Sequence, residues 1–186
     1  WSSVNPDLFI ARLLFQRTGQ IYGRDSLAKP LIAKEFSTIS PENDLKWSVI
    51  HPQPKEYKFE PADKYVALGE ANKQFVIGHT LVWHSQVPNW VFVYDNKALV
   101  SKEVLYQRMK EHIEKVAGRY KGRIGGWDVV NEALNDDGTM RNSRYYQIAG
   151  DEFIIKAFEY AHAVDPKTEL YYNDYNEYDE GKAEQI

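Results

Sequence analysis

A parallel α/β protein, the first five units of a (β/α)8 barrel, is the fold this sequence predicts. Three observations carry that expectation. Short apolar strands alternate about five times with helices of 10–17 residues along the 186-residue chain. Neither GxGxxG nor GxxxxGK with a following Ser or Thr stands after a strand, which disfavours a doubly wound nucleotide fold. Polar side chains gather where the apolar strands stop, the end at which such barrels place their sites. A complete barrel typically takes about 250 residues, so residues 1–186 are expected to form one incomplete barrel domain.

Taken in order, the amino-terminal stretch carries Leu8-Phe9-Ile10 and Leu13-Leu14-Phe15, read as a first strand near 8–15. Ser26 can cap a helix over 27–35, where Leu27, Leu31 and Ile32 recur at helical spacing. Residues 36–39 read as a short strand closing in Ser40-Pro41-Glu42-Asn43, with Lys46 and Trp47 beyond it. Pro52 and Pro54 make 51–60 a loop. Pro61 suits the first turn of a helix over 61–72, where a missing amide costs nothing. The next strand opens at Phe75 and ends loaded with His79, Trp83, His84, Ser85 and Gln86.

Ser101 caps a helix over 102–118 whose apolar stripe is Val104, Leu105, Met109, Ile113, Val116 and Ala117, with Gly118 and Gly122 at its exit. IGGWDVVNEAL (124–134) then reads as a buried strand that stops at Asn131-Glu132. Asn135-Asp136-Asp137-Gly138 is turn chemistry. Asp151 can cap a helix over 152–164, with Ile154, Ala157, Phe158 and Ala161 facing inward, and Asp165-Pro166 stops it. Leu170-Tyr171-Tyr172 opens a last strand closing in Asn173-Asp174-Tyr175-Asn176, and 180–186 begin another helix.

The totals narrow the function classes. With 43% hydrophobic and 14% aromatic residues the chain can build a core of about one domain. A formal charge of −4 without a basic stripe argues against nucleic acid as a partner. No apolar run is long enough to span a bilayer, so no membrane partner is expected. The absence of cysteine excludes disulfides and thiolate chemistry and leaves the compartment open. The opening WSSVNPD has neither a starting Met nor a signal-peptide pattern, and is read as a processed or excised segment.

A lone Glu after a strand is ordinarily a loop marker. Here successive strand ends carry Glu42-Asn43, His79 to Gln86, Asn131-Glu132 and Asn173-Asp174. Amide side chains both donate and accept hydrogen bonds, which suits an uncharged, hydroxyl-rich ligand. The supply of 5 Trp and 13 Tyr serves core packing and offers faces that stack on a pyranose. A carboxyl group whose pKa is raised among such neighbours can protonate a glycosidic oxygen. A metal hydrolase is disfavoured, since HExxH is absent and His79 and His84 have no carboxylate at ligand spacing; neither metal nor cofactor is expected. Ser85 lies in no GxSxG elbow. Asp128, four residues before Glu132 and on the same strand parity, is either an ordinary buried, hydrogen-bonded Asp or a group that orients a neighbouring histidine such as His84.

Four segments then show a likeness. PENDLKW (41–47), GHTLVWHSQVPNW (78–90), WDVVNEA (127–133) and YNDYN (172–176) resemble, in the same order, the hallmark segments of glycoside hydrolase family 10, the retaining endo-β-1,4-xylanases built on a (β/α)8 barrel. The resemblance implies xylan or xylo-oligosaccharides as substrate and a secreted, extracellular or periplasmic location. It implies Glu132 as general acid/base and Asn131 as the hydrogen-bond partner of the sugar 2-hydroxyl. Glu42, Asn43, Lys46, His79, Trp83 and Gln86 would line the glycone subsites. Asn173 and Tyr175 would stand on the aglycone side, Tyr175 as a stacking face. Asp128 and His84 would support these from behind.

The sequence departs from the family pattern in two places. The nucleophilic carboxylate, about 5–5.5 Å from the acid/base in a retaining enzyme, comes in the family from the seventh strand, and is expected outside this chain. Asp174 occupies another place in its motif and is not promoted to that role. The family's small-residue first strand, resembling GAALN, is met here by the bulky and charged ARLLFQ (11–16). Partners beyond the substrate would be a carbohydrate-binding module or the missing carboxyl-terminal half of the barrel. The chain alone is expected to be inactive, and a non-catalytic xylan-binding half-barrel and an inert truncated product stand as alternatives.

Overall fold

Among the described residues, four strands, all parallel, pair in the order in which the chain makes them: β1 (Thr38–Ile39), β2 (Phe75–Trp83), β3 (Gly126–Asn131) and β4 (Glu169–Asn173). The computed structural model describes residues 28–176 and 180–184. The strand expected at 8–15 and the segment ARLLFQ lie outside the described residues. Helices α1 (Ala28–Glu35), α2 (Trp47–Ile50), α3 (Glu60–Ala71), α4 (Lys102–Arg119), α5 (Arg144–Ala149), α6 (Glu152–Val164) and α7 (Glu180–Ala183) occupy the connections and the carboxyl-terminal stretch. A sheet of sequential parallel strands with helical crossovers is a partial barrel wall.

The helices form where periodicity and caps agree. In α3, Pro61 sits in the first turn, where Glu60 and Asp63 favour the positive end of the helix, and Ala62, Tyr65, Val66 and Gly69 are buried at helical spacing. The Tyr65 hydroxyl lies 2.8 Å from the carbonyl oxygens of both Ile39 and Ile77, tying α3 to β1 and β2. In α4 the Ser101 hydroxyl accepts from the Val104 amide, and Leu105, Met109, Ile113, Val116 and Ala117 are buried. Val104 is only half-buried, and His112 joins the buried stripe instead. Gly122 takes the exit turn at φ 72°, a left-handed conformation that suits glycine.

Some boundaries differ from expectation. β1 keeps only Thr38 and Ile39 of the strand expected at 36–39. Asp151 precedes α6 but makes no side-chain cap bond, because its backbone is already helical (φ −70°, ψ −20°) and does not aim the carboxylate at the first amides. Inside α6 it is Phe153, Ala157 and Ala161 that are buried, while Ile154 and Phe158 are half-buried. Helix α5, which hydrophobic periodicity did not announce, is started by Ser143, whose hydroxyl accepts from the Tyr146 amide. Its Tyr145 packs on Phe92 and Phe153 at ring separations of 4.8 and 5.3 Å.

An aromatic stack braces the β1–α3 connection from below. Trp47 lies flat on His112 at 3.8 Å, Tyr57 flat on His51 at 3.9 Å, and the two imidazoles meet Nδ1 to Nδ1 at 3.1 Å. Since Trp47 follows Lys46 directly, this stack fixes the segment that approaches the strand ends. The core thus runs from α3 and α4 through the sheet to α6, with Gly78 letting the Trp127 ring lie against the β2 backbone: a Cβ there would meet the ring at 2.1 Å.

Candidate active site

Parallel strands end together, so the carboxyl ends of β1 to β4 bring residues far apart in sequence to one edge of the sheet. β2 delivers Trp83 and β3 delivers Asn131 as register partners, and Asn131 is in turn the partner of Asn173 on β4. Beyond Asn131 the chain turns sharply. Glu132 has φ 54°, a conformation that costs a non-glycine residue on the order of 1–3 kcal/mol and that clusters at functional sites.

The Glu132 carboxylate is held in place. Its Oε2 accepts the Trp83 indole N–H at 2.9 Å, and its backbone N–H donates to the Asn173 carbonyl at 2.8 Å. Beside it the Asn173 amide donates to the Asn131 side-chain oxygen. The Lys46 ammonium donates to the Asn43 side-chain oxygen at 3.0 Å and sits 4.8 Å from the centroid of the Trp83 ring, a cation–π contact. Lys46, His79 and Asn131 are buried, Trp83 and Glu132 half-buried, Asn43 exposed. Glu42 stands half-buried at the exit of β1. Gln86 is exposed, with φ 46°, and its carbonyl accepts from the Ser48 amide at 2.8 Å.

The histidine held by Asp128 is His79. The His79 Nδ1 and Asp128 Oδ2 are 2.8 Å apart, both buried. This corrects the expected pairing with His84. In the parallel register His79 lies directly beside Asp128, whereas His84 follows the end of β2, beyond the level of Asn131. His84 instead neighbours Glu132. Burial lowers its pKa, as does the Arg141 charge, against the opposing pull of Glu132 and Asp174.

On the far side of Glu132, Asp174 is committed to structure. It is buried, accepts from the Tyr172 hydroxyl and the Tyr175 amide, and forms an ion pair with Lys182 at 2.7 Å. Burial opposes the Lys182 charge, yet hydrogen bonding and attraction from Asp174, aided by Tyr175 and Asp136, raise its pKa above the ordinary lysine value. Its ammonium lies 4.0 Å from the centroid of the Tyr175 ring, which is exposed. Arg141, Tyr172 and Lys182 thus belong to the site although sequence reasoning did not select them. Tyr172 lay inside a quoted motif, but Arg141 and Lys182 sit off the strand ends that carried the sequence signal.

The edge of the sheet therefore brings Asn43, Lys46, Trp83, Asn131, Glu132 and Asn173 into one connected set of contacts, with the His79–Asp128 pair further back along β2 and β3 and Glu42 and Gln86 standing after the ends of β1 and β2. It is not the cleft of about 550 Å³ lined by Phe75, Lys121, Arg123, Gly125 and Lys167, which lies at the opposite, amino-terminal ends of β2, β3 and β4. Chemically the arrangement offers one positioned carboxyl group, amides for hydroxyls, and indole and phenol faces for sugar rings.

Known proteins resemble this chain in sequence and fold. The chain is 48% identical over 156 residues to a β-1,4-xylanase of Dictyoglomus thermophilum, covering 83% of this chain and 43% of that protein. An endoxylanase structure retrieved from a sugarcane soil metagenome superposes with a TM-score of 0.83 at 52% identity, over 86% of this chain and 47% of the other. Xylanase 10B of Thermotoga petrophila, solved in complex with xylobiose, matches with a TM-score of 0.73 at 43% identity, over 78% of this chain and 43% of the other. The chain thus spans less than half the length of each of these three relatives. Residues 15–186 match the sequence profile of Glycosyl hydrolase family 10, and with the fold agreeing, the chain belongs to that family.

Proposed function

We propose that these residues form the acid/base half of a retaining endo-β-1,4-xylanase. The observation that carries it is the Glu132 carboxyl group at the end of β3, fixed by the Trp83 indole at 2.9 Å and flanked by the Asn131–Asn173 amide pair. In the first step Glu132 gives its proton to the glycosidic oxygen as the bond to the anomeric carbon breaks. A carboxylate from a strand outside residues 1–186 takes the sugar as a covalent intermediate. In the second step ionised Glu132 takes a proton from water as that water attacks the anomeric carbon and releases the nucleophile. The Asn131 oxygen is already engaged by Asn173, which leaves its NH2 for the sugar 2-hydroxyl.

Lys46, His79 and Trp83, with Glu42, Asn43 and Gln86 around them, form the glycone side, and Asn173 and Tyr175 the aglycone side. Asp128 holds His79 at Nδ1, so that Nε2 is the nitrogen left for a ligand. The xylobiose bound by the Thermotoga petrophila relative supports xylan and xylo-oligosaccharides as substrates. A polymer that cannot cross a membrane would be met outside the cytoplasm, which supports a secreted enzyme.

The test is reducing-sugar release from xylan by the 186-residue chain and by a form extended to complete the barrel; activity is expected in the extended form only. There, Glu132→Ala should cut xylan hydrolysis by about 10²–10⁴-fold while sparing much of kcat/KM on aryl xylosides with good leaving groups. Unchanged xylan hydrolysis in that variant would remove Glu132 from the acid role.

A further inference from the structure

We propose that Arg141 is a positioning residue that holds the acid/base and the aglycone platform as one unit. This rests on the reading of Glu132 given above. One guanidinium joins three groups of the site, on two segments. Its Nε donates to the Glu132 carbonyl at 3.0 Å, and its Nη2 donates to the Leu134 carbonyl at 2.9 Å and to the Tyr175 hydroxyl at 3.0 Å. Its own backbone N–H donates to the Ala133 carbonyl at 2.8 Å. The three successive carbonyls of residues 132–134 are thus all held by Arg141.

The loop needs such a hold. Glu132 adopts a left-handed backbone that the side chain does not favour, and that geometry aims the carboxylate at the indole of Trp83. On the other side of the segment the Ala133 amide donates to the Tyr172 hydroxyl at 3.0 Å, and the Glu132 amide to Asn173. β4 therefore supplies one wall and Arg141 the other. The rigid, planar fork of guanidinium can bind two carbonyls and a phenol together, which a lysine ammonium at the same place cannot. Because Tyr175 shares that fork, a sugar stacked on Tyr175 bears on the same group that fixes the backbone of Glu132.

The consequence is a selective defect. In a form with the barrel completed, Arg141→Lys is expected to lower kcat/KM on xylo-oligosaccharides, whose departing alcohol needs a proton, on the order of tenfold to a hundredfold. On an aryl xylobioside with a strongly acidic phenol the loss should stay within about twofold, since that leaving group needs little protonation. Tyr175→Phe keeps the ring and removes the hydroxyl from the fork. Combined with Arg141→Lys it should add nothing on oligosaccharides beyond the single change.

Equal losses on both substrate types, in step with a lowered melting temperature, would reduce Arg141 to a structural tie and overturn the proposal. Independent, additive losses in the double variant would break the link to Tyr175. Glu132→Ala run alongside separates the two levels. If it too shows no dependence on the leaving group, the acid/base reading has failed; if it does and Arg141→Lys does not, only the positioning role has.

Discussion

Asp128 and His79 show what a single strand position decides. The two side chains face each other at 2.8 Å in a buried setting, so the carboxylate sets which imidazole nitrogen carries hydrogen toward it and which is left for another partner. Asp128→Ala would leave a buried ring nitrogen without its partner, a loss of about 1–3 kcal/mol. In a form with the barrel completed, a lower melting temperature and a raised KM on xylo-oligosaccharides are expected; an unchanged KM would mean His79 keeps its orientation by packing alone. The candidacy of Asp128 was legible from its place four residues before Glu132, but its partner was not. Linear spacing says which face of a strand a residue takes, and only the register between two strands says which residue stands opposite. Arg141 was illegible for a related reason. It acts on carbonyl groups, and backbone oxygens leave no mark in a sequence.

At the scale of elements, the β1–α3 connection depends on two histidines that cannot both be charged. The 3.1 Å contact between the Nδ1 atoms of His51 and His112 is a hydrogen bond only while one of them keeps a lone pair. Burial pushes the His112 pKa well below its ordinary value of 6.5, and the charge of His51 pushes it further. Burial also lowers that of His51, against the Pro54 carbonyl and Glu111. A depressed pKa in the folded state means stability that is whole above the ordinary histidine value of 6.5 and is lost as pH falls through the lowered values. In a form with the barrel completed, the melting temperature should therefore drop as the pH is taken from about 7 toward about 5, and His51→Gln, which keeps one neutral hydrogen-bonding partner, should flatten that slope. A slope untouched by the substitution would clear the pair. Elements long enough to show a period, such as α3 and α4, were plain in the sequence. Helix α5 was not, because its six residues are too few to show a period and only Ser143 marks it.

At the scale of the whole molecule, the described sheet has two outer strands. β1 is only two residues long, and β4 is half-buried along Leu170, Tyr171 and Tyr172. Open parallel edges of this kind are normally covered or paired. By itself the 186-residue chain should unfold without a sharp transition or aggregate, as followed by calorimetry and light scattering. A cooperative thermal transition from a monomer would contradict this. The barrel class was legible because strand and helix patterns alternate, and the polar strand ends pointed to the edge where Glu132 stands; the expectation that the nucleophile lies outside residues 1–186 rested on likeness to the family alone. One further consequence comes from the cleft at the amino-terminal ends of the strands, rimmed by Lys121, Arg123 and Lys167 and set away from Glu132 by the length of the sheet. A tether fixed to Lys121 and Lys167 would leave the edge that carries Glu132 turned outward, so, on the proposed function, a form with the barrel completed would keep that edge open to an insoluble fibre while anchored to a solid support.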